Sequence, residues 1–171
     1  MWRYFFLLLI FSTPILANAQ NENLFDKASI VADKIEIEAN GNLKAKGNVK
    51  IHHNNNILKA SEILYSRKTD ELTVLGPLSL TDSRGNETIA DNAIFKNDFR
   101  EAVLLATKVI LKNELEISAK KLVSSINEDS NFIRVTATSC KSCKNEKPFW
   151  VIKANRVKHD EKLKTIYFYD S

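Results

Sequence analysis

The fold is decided by the stretch at residues 31–51, which reads VADKIEIEANGNLKAKGNVKI. Its second half alternates between apolar or small residues and polar ones, so that Val49 and Ile51 fall on one side and Lys50 on the other. An extended strand places successive side chains on opposite faces, which gives a period of two. The stretch therefore predicts β-strands with one apolar face.

The same pattern recurs four more times along the chain. Each copy opens on an alanine that follows a mostly apolar start, and these alanines are Ala32, Ala60, Ala90, Ala119 and Ala154. They lie 28, 30, 29 and 35 residues apart. A period of this size marks one supersecondary unit that is copied and stacked. The chain is therefore expected to contain five related units.

Within a unit, the opening alanine and the apolar residue three positions later are out of phase for a regular strand. Ala60 and Ile63, for example, would point to opposite faces. A bulge or corner at the start of each unit would bring both side chains inside. Turn-tolerant residues such as Asn97 and Asp98 then follow. We expect five hairpins with a kinked first arm, about ten strands in all, in an open-ended array. An ordinary all-β sandwich is the alternative.

The composition is that of one globular domain. The 171 residues carry 25 Lys and Arg against 21 Asp and Glu, a formal charge of +4, and 44% of them are hydrophobic. These values exclude a disordered tail or a fibre, and the length suits a single domain. Because no block of like charges concentrates the positive charge, the sequence does not favour nucleic-acid binding.

The N-terminus has the three-part plan of a secretory signal peptide. One positive charge at Arg3 precedes an apolar segment from 5 to 17, and small residues follow at Ala17 and Ala19. The apolar segment is shorter than the roughly 20 residues of a membrane-spanning helix, which argues against an uncleaved anchor. The expected divisions are a cleaved signal peptide, an N-terminal arm and one domain outside the cytoplasm, at residues 1–19, 20–27 and 28–171.

The only two cysteines, Cys140 and Cys143, form a C-x-x-C motif. A redox-active motif of this kind usually opens a helix, but Pro148 and no helical spacing follow it. A zinc site needs two more ligands, and the three histidines have no ligand spacing. We expect a structural disulfide, no metal and no cofactor, with a thiol-disulfide enzyme as an alternative.

No other pattern points to catalysis. The sequence contains no G-x-S-x-G, no H-E-x-x-H and no phosphate-binding glycine loop. Glu36 and Glu38 lie two apart on one strand face and are expected to be solvated rather than to act as a general acid and base. We expect that the chain is not an enzyme.

The repeated units resemble the OstA-like β-jellyroll family of lipopolysaccharide transport proteins. Residues 31–51 are similar to the first family unit, in which small residues lead into G-x-V-x-I. Three later segments, at 138–143, 148–154 and 157–168, look like the end of the periplasmic domain of LptD-type assembly proteins. LptA-type bridges lack that cysteine–tryptophan stretch. The resemblance covers essentially the whole of residues 28–171.

The resemblance implies an all-β fold, an open-ended β-jellyroll built from stacked hairpin repeats with two facing antiparallel sheets. It implies lipopolysaccharide transport and outer-membrane assembly, in the periplasm at or near the outer membrane. Lipid A acyl chains would lie in an apolar groove, since burying each CH₂ gains about 0.8 kcal/mol. LptD-type chains continue into an outer-membrane barrel. In those proteins the cysteines of the periplasmic domain pair with cysteines of the barrel. The sequence is compatible with a piece of such a chain and with a free-standing jellyroll.

The implied partners are lipopolysaccharide, other jellyroll proteins of the family that dock end to end through edge strands, and an outer-membrane barrel. The candidate groove residues are the apolar residues expected to face inward, with plain core packing as the alternative for each. They are Ile35, Ile37, Leu43, Val49, Ile51, Ile63, Tyr65, Leu72, Val74, Phe95, Val103, Leu105, Leu122, Phe132, Val157 and Tyr167. A periplasmic adaptor that docks by strand addition without binding lipid is the alternative function.

Overall fold

The computed structural model of the protein describes residues 28–111, 115–125, 128–139, 150–160 and 162–171. The expected signal peptide at 1–19, the arm at 20–27 and the motif of Cys140 and Cys143 lie outside the described residues. No helix in the described ranges is long and apolar enough to cross a membrane.

The described part of the chain forms twelve strands in one antiparallel sheet. The strands are β1 (Ser29–Val31), β2 (Lys34–Ile37), β3 (Leu43–His53), β4 (Asn56–Ser66), β5 (Glu71–Thr81), β6 (Glu87–Ala90), β7 (Asn92–Lys96), β8 (Glu101–Ile110), β9 (Glu116–Ser125), β10 (Glu128–Thr138), β11 (Ile152–Asp160) and β12 (Thr165–Tyr169). Their order is β1-β3-β4-β5-β6-β8-β9-β10-β11-β12, with β2 beside β3 and β7 between β5 and β8. Because β1 and β2 are two parts of one arm, as are β6 and β7, the strands make ten arms in five hairpins. The predicted array of hairpins is confirmed.

A line of kinks crosses the sheet at the opening alanine of each unit. On β4, Ala60 and Ile63 both pack into the core, because the pairing with β5 shifts between Ala60 and Glu62. Neighbouring strands carry a residue with positive φ at the same level. These residues are Gly47, Gly76, Ala106 and Arg134, with φ of 74, 85, 49 and 53°. The kink reverses which alternate positions face inward, so the bulge or corner predicted from the alanine spacing is confirmed, as a bulge on β4 and as a corner without a register shift on β8 and β10.

The kink line divides the sheet into two layers that face each other. Layer 1 consists of residues 29–31, 49–53, 56–60, 78–81, 87–90, 107–110, 116–119, 135–138 and 152–154. Layer 2 consists of residues 34–37, 43–46, 62–66, 71–75, 92–96, 101–105, 121–125, 128–133, 156–160 and 165–169. The two expected sheets are thus halves of one hydrogen-bonded sheet, because most strands run through the kink without interruption.

The space between the layers is densely filled in the N-terminal half of the fold. Five large side chains there are at most 1% exposed, namely Ile51, Leu58, Ile63, Leu72 and Val74. Burying an aliphatic side chain of this size contributes about 1.5–3 kcal/mol. This half is a closed core that holds the two layers together.

Candidate functional site

A cavity of about 530 Å³ lies between the two layers, mainly in the half of the fold formed by β5 to β12. Its apolar walls are formed by Leu80, Phe95, Phe99, Ala102, Leu104, Val109, Leu111, Ile117, Leu122, Phe132 and Ile166. Its polar lining consists of Asn56, Asp82, Arg84, Asn86, Thr88, Ser124, Ser130, His159 and Lys164. This volume falls within the range typical of ligand sites, and the walls are mostly apolar as such sites require.

The kink explains how one strand contributes to both walls of the cavity. On β8, Leu104 belongs to layer 2 and Val109 to layer 1, and both line the cavity. Between them Ala106 has a φ of 49°, which turns the strand and reverses its alternation. Leu122 and Ile117 on β9 are related in the same way, because they pair with Leu104 and Val109. The walls therefore follow from the repeated kink.

Aromatic side chains close the cavity toward the N-terminal core. Phe99, in the turn between β7 and β8, packs against Phe95 with ring centroids 4.7 Å apart. Phe99 also stacks on the ring of His53, at the end of β3, with ring centroids 5.3 Å apart. Because Phe95 and Phe99 also line the cavity, they separate it from the filled interior beyond.

One rim of the cavity is the turn between β5 and β6. The Asp82 carboxylate accepts hydrogen bonds from the backbone N–H groups of Arg84 and Asn86 and from Asn86 Nδ2, at 2.9, 2.8 and 2.7 Å. Burial is the largest single effect on the Asp82 carboxyl, and it raises the pKa. The hydrogen bonds and the Arg84 charge together outweigh burial, so the pKa of Asp82 lies below its usual range. The carboxylate is therefore ionised at neutral pH and bonded within its own turn.

The opposite rim is the turn between β11 and β12. Asp160 Oδ1 accepts a hydrogen bond of 2.8 Å from the Leu163 N–H and so stabilises this turn. Lys164 has a φ of 52° and lines the cavity together with His159. Each rim thus brings one permanent cation to the cavity, Arg84 from layer 1 and Lys164 from layer 2.

The cavity brings together three of the residues predicted to line a groove, Phe95, Leu122 and Phe132. Eight other residues of the predicted groove also face inward, but they lie in the closed core or at its margin. For these residues the alternative expectation, plain core packing, describes what the structure shows. They are Val49, Ile51, Ile63, Tyr65, Leu72, Val74 and Val157, each buried, and Leu43, which packs against the core.

Ile35 and Ile37 lie on the inner face but at the open N-terminal edge. They pair with Ala45 and Leu43, which also face inward. No strand of the described residues covers β2 on its other side, so Ile35 is 42% exposed and Ile37 is 72% exposed. The apolar stripe of the interior therefore reaches the edge of the sheet without a cover.

The expectation of an inward side chain is wrong for Val103 and Leu105. On β8 the inward residues are Ala102 and Leu104, while Leu105 is 46% exposed on the outer face. Val103 pairs with Ile94 and Val123, which also lie on that face. Residues 102–106 are apolar at every position, so alternation could not indicate the inner set.

The expectation is also wrong for Tyr167, which lies on the outer face and is 38% exposed. The inward residues of β12 are Ile166 and Phe168, which pack against the core. Both faces of this strand carry aromatic or apolar residues, and a tyrosine hydroxyl is satisfied by water when it faces outward. The neighbouring Tyr169 packs under Arg156, whose guanidinium lies 4.5 Å from the ring centroid.

Sequence reasoning missed most of the cavity walls. Leu104, Val109, Ile117 and Ile166 are lining residues that the groove prediction omitted. Counting alternation afresh after each kink would have found Val109 and Ile117, because the kink residue Ala106 restarts the pattern. For Leu104 and Ile166 the local sequence offers no signal, since their neighbours are equally apolar.

The cavity offers a ligand an apolar surface with polar and charged groups around it. Among the described residues, no three His, Cys, Asp or Glu side chains are grouped to hold a metal ion. The charged groups at the cavity are on its rims, and its walls are apolar.

Comparison with known proteins identifies two relevant similarities, although no family model matches the chain. The chain is 27% identical over 134 residues, 78% of its length, to the LPS-assembly protein LptD of Burkholderia lata, and it spans 17% of that protein. The name of that protein describes the assembly of lipopolysaccharide.

The second similarity is to a solved structure. LptH of Pseudomonas aeruginosa, described as the LptA-homologous periplasmic component of a lipopolysaccharide transport device, superposes with a TM-score of 0.56 at 14% identity. The match covers 75% of this chain and 95% of LptH. The hairpin array, the line of kinks and this superposition agree, and the chain has the OstA-like β-jellyroll fold of the LptA type.

Proposed function

We propose that the protein is a non-catalytic component of lipopolysaccharide transport that shelters acyl chains between its two layers. The observation that carries this proposal is the apolar cavity with charged rims. The relatives add support, because one is named for lipopolysaccharide assembly and the other for lipopolysaccharide transport.

The physical basis of the transfer is burial of hydrocarbon. Side chains such as Leu104, Leu122 and Phe132 offer a surface free of hydrogen-bonding groups, and each CH₂ buried there gains about 0.8 kcal/mol. The sugar headgroup stays at the rim in water, since burying it without partners would be costly. A passive site of this kind performs no work, so the direction of transport comes from its partners.

The proposed location is the periplasm, at or associated with the outer membrane, reached through a cleaved signal peptide at residues 1–19 ahead of the arm at 20–27 and the domain at 28–171. The proposed partners are other jellyroll proteins of the same transport system and an outer-membrane barrel. The open edge at β2 supports end-to-end docking, because an added strand would cover the exposed inner-face residues Ile35 and Ile37. Docking there would continue the apolar stripe from one protein into the next.

Site-specific photo-crosslinking tests lipid binding. A photoreactive phenylalanine analogue at Phe132 or Phe95, both in the cavity wall, is expected to capture lipopolysaccharide. The matched controls are Ile133 and Ile94, which are neighbours in sequence and apolar but exposed on the outer face. Equal capture at inner and outer positions, or no capture by the folded protein, would contradict the proposal.

One observation favours the adaptor as a second candidate function. The interior is filled in its N-terminal half, where Ile51, Leu58 and Ile63 are almost completely buried, so the cavity does not run through the whole fold. An adaptor needs the open edges but no lipid. Crosslinking to a partner jellyroll at Ile37, with no lipid captured at Phe132, would decide in favour of the adaptor.

A further inference from the structure

The outer face of layer 2, on the side away from the cavity, carries a mostly apolar row. Register pairs place five of its residues side by side on adjacent strands, namely Leu64, Thr73, Ile94, Val103 and Val123. Leu105 and Ile133 lie beside this row on the same face, one on each side of Lys121, and both are exposed. An exposed apolar patch of this extent marks a surface that contacts a partner or a membrane.

The outer face of layer 1 is different, although it belongs to the same sheet. Its row from β3 to β11 contains one large apolar residue among lysines and hydroxyl residues. The row consists of Lys50, Lys59, Ser79, Ile89, Lys108, Ser118, Thr136 and Lys153. An apolar outer face is therefore a specific property of layer 2 and not of the fold in general.

Lysines lie at both ends of the apolar row. On β3, Lys44 pairs with Leu64, and at the other end Val123 is followed by Asn131 and then by Lys158 on β11. No carboxylate lies in the row between the two lysines. The ends are seven strand spacings of about 4.8 Å apart, which is roughly 34 Å along the sheet. A surface that matches this face must therefore be negative at two distant places.

Part of the positive charge on this face is not balanced by carboxylates of the described residues. Lys44 and Lys46 share one carboxylate, because their Nζ atoms lie 3.4 and 3.0 Å from the two oxygens of Glu62. Lys121 and Arg156 form no ion pair with a described residue. The face therefore combines apolar side chains with an excess of cations.

Two tyrosines extend the face at its β12 end. Tyr167 pairs with Lys158 and Tyr169 pairs with Arg156, and Lys158 also forms an ion pair with Asp129. Tyrosine is favoured at the boundary between an apolar region and water, because its ring is apolar and its hydroxyl is polar. Apolar, aromatic and basic side chains are thus present together on one face.

We propose that the outer face of layer 2 binds the surface of an anionic phospholipid bilayer. The apolar residues gain free energy by leaving water, and the cations gain from the negative potential of the surface. A bilayer is negative over its whole area, so it matches the lysines at both ends of the row at once. A second copy of the chain packed in the usual aligned manner would place cations against cations, which disfavours self-association through this face.

This contact goes beyond the proposed function, because it uses the side of layer 2 that faces away from the cavity. Ile94 and Ile133 would contact phospholipid there and remain free of lipopolysaccharide. Loss of the bilayer contact would therefore leave acyl-chain binding in the cavity unchanged, and the two can be tested separately.

Flotation of the purified protein with lipid vesicles tests the role of the cations. The vesicles contain either phosphatidylcholine alone or phosphatidylcholine and phosphatidylglycerol in equal parts. The variant is Lys121→Gln/Arg156→Gln. The control is Lys50→Gln/Lys59→Gln, which removes the same charge from the outer face of layer 1, where these two lysines also form no ion pair with a described residue.

We expect the wild-type protein to float with the anionic vesicles and not with the neutral ones. Each cation near an anionic surface contributes about a fivefold gain in binding, so the Lys121→Gln/Arg156→Gln variant should bind about 25-fold more weakly. The control should stay within about twofold of wild type. Equal losses in the variant and the control would overturn the assignment to layer 2, since they would indicate attraction by net charge alone.

A second pair of substitutions tests the apolar contact independently of charge. Ile94 and Ile89 are both 38% exposed, on the outer faces of layers 2 and 1 respectively. Ile94→Thr should weaken binding to the anionic vesicles by about threefold, and Ile89→Thr should leave it unchanged. Urea denaturation identifies any variant that has lost its fold, and the other pair then decides.

Three results would overturn the bilayer assignment. They are equal binding of the wild-type protein to both kinds of vesicle, no binding by the folded wild-type protein, and capture of a protein instead of phospholipid by a photoreactive residue at Leu105 in cells. The last result would identify the face as a protein interface. Each of the three would leave the proposed function standing, because none of them involves the cavity.

Discussion

His53 Nε2 lies 2.8 Å from Asp98 Oδ1, and the two residues belong to opposite layers of the fold. His53 ends the layer 1 part of β3, and Asp98 lies in the turn that closes the layer 2 strands β7 and β8. The two atoms are at ion-pair distance without hydrogen-bond geometry. Together with the stacking of His53 on Phe99, this contact ties the two layers together beside the cavity.

Removing this tie should destabilise the protein. His53 is 3% exposed, so His53→Ala leaves a hole against Phe99 and removes the close contact with Asp98. We expect a loss of about 2–4 kcal/mol in the free energy of unfolding, measured by urea denaturation. The neighbouring His52 is exposed, and His52→Ala should change stability by less than about 0.5 kcal/mol. Equal effects of the two substitutions would contradict the cross-layer role.

The kink line should be sensitive to a methyl group at Gly47. Its φ is 74°, and an added Cβ would collide with the Asp33 carboxylate, which also accepts a hydrogen bond from Asn48 Nδ2 at 2.9 Å. Gly47→Ala is expected to cost at least about 2 kcal/mol, from backbone strain and this collision. Gly85 provides the control, because its φ is 83° and the space around it is open. Gly85→Ala should cost about 1 kcal/mol, from strain alone, and thermal or urea unfolding separates the two.

The rim turn at Asp82 predicts a pH-dependent contribution to stability. The pKa of Asp82 is lowered in the folded protein. At a pH above the pKa of an unfolded aspartate, the ionised carboxylate therefore stabilises the fold. This contribution is lost as the pH falls through the pKa of Asp82 in the folded protein. Asp82→Asn should therefore reduce stability at pH 7, by about 1 kcal/mol or less because the group is partly exposed. At about pH 3 the difference between variant and wild type should shrink as the wild-type carboxyl takes up its proton.

Asp91→Asn serves as the control for this pH series. Asp91 is exposed and its carboxylate makes no hydrogen bond with a described residue, so the variant should follow the wild-type stability at both pH values. A difference between Asp82→Asn and wild type that stays constant between about pH 7 and pH 3 would contradict the role of the ionised carboxylate.

Export should remove the first 19 residues of the chain. Small residues at Ala17 and Ala19 follow the apolar segment, which is the pattern that signal peptidase cleaves. The mass of protein isolated from the periplasm should therefore correspond to a chain that starts at Gln20. Ala19→Pro should block cleavage and leave the full-length mass. Retention of residues 1–19 in the native protein would contradict the expected processing.

The sequence was sufficient to predict the hairpin units and their kinks. The alanine at the start of each unit and the apolar residue three positions later, such as Ala119 and Leu122, are both inward, and an extended strand accommodates that spacing only through a bulge or a corner. This information is local, because it depends on the geometry of one strand.

The placement of the cavity could not be predicted in the same way. Alternation distinguishes inward from outward residues only where the outer face is polar, and β8 and β12 are apolar on both faces. Whether an inward residue lines a cavity, as Phe132 does, or lies in closed core, as Ile63 does, depends on side chains from the facing layer. That relation joins residues far apart in the sequence, and no repeat encodes it.

The order of the strands bears on how the protein is made. From β3 onward each arm pairs with the arms before and after it in the sequence. No strand at the start of this series therefore needs a strand from the end of the chain as its pairing partner. A chain with this nearest-neighbour topology can add hairpins one at a time, in the order of the sequence. The first hairpins include several almost completely buried side chains, such as Ile51 and Ile63. Folding can thus proceed vectorially from a stable seed at the N-terminal end, with each finished hairpin serving as the template for the next.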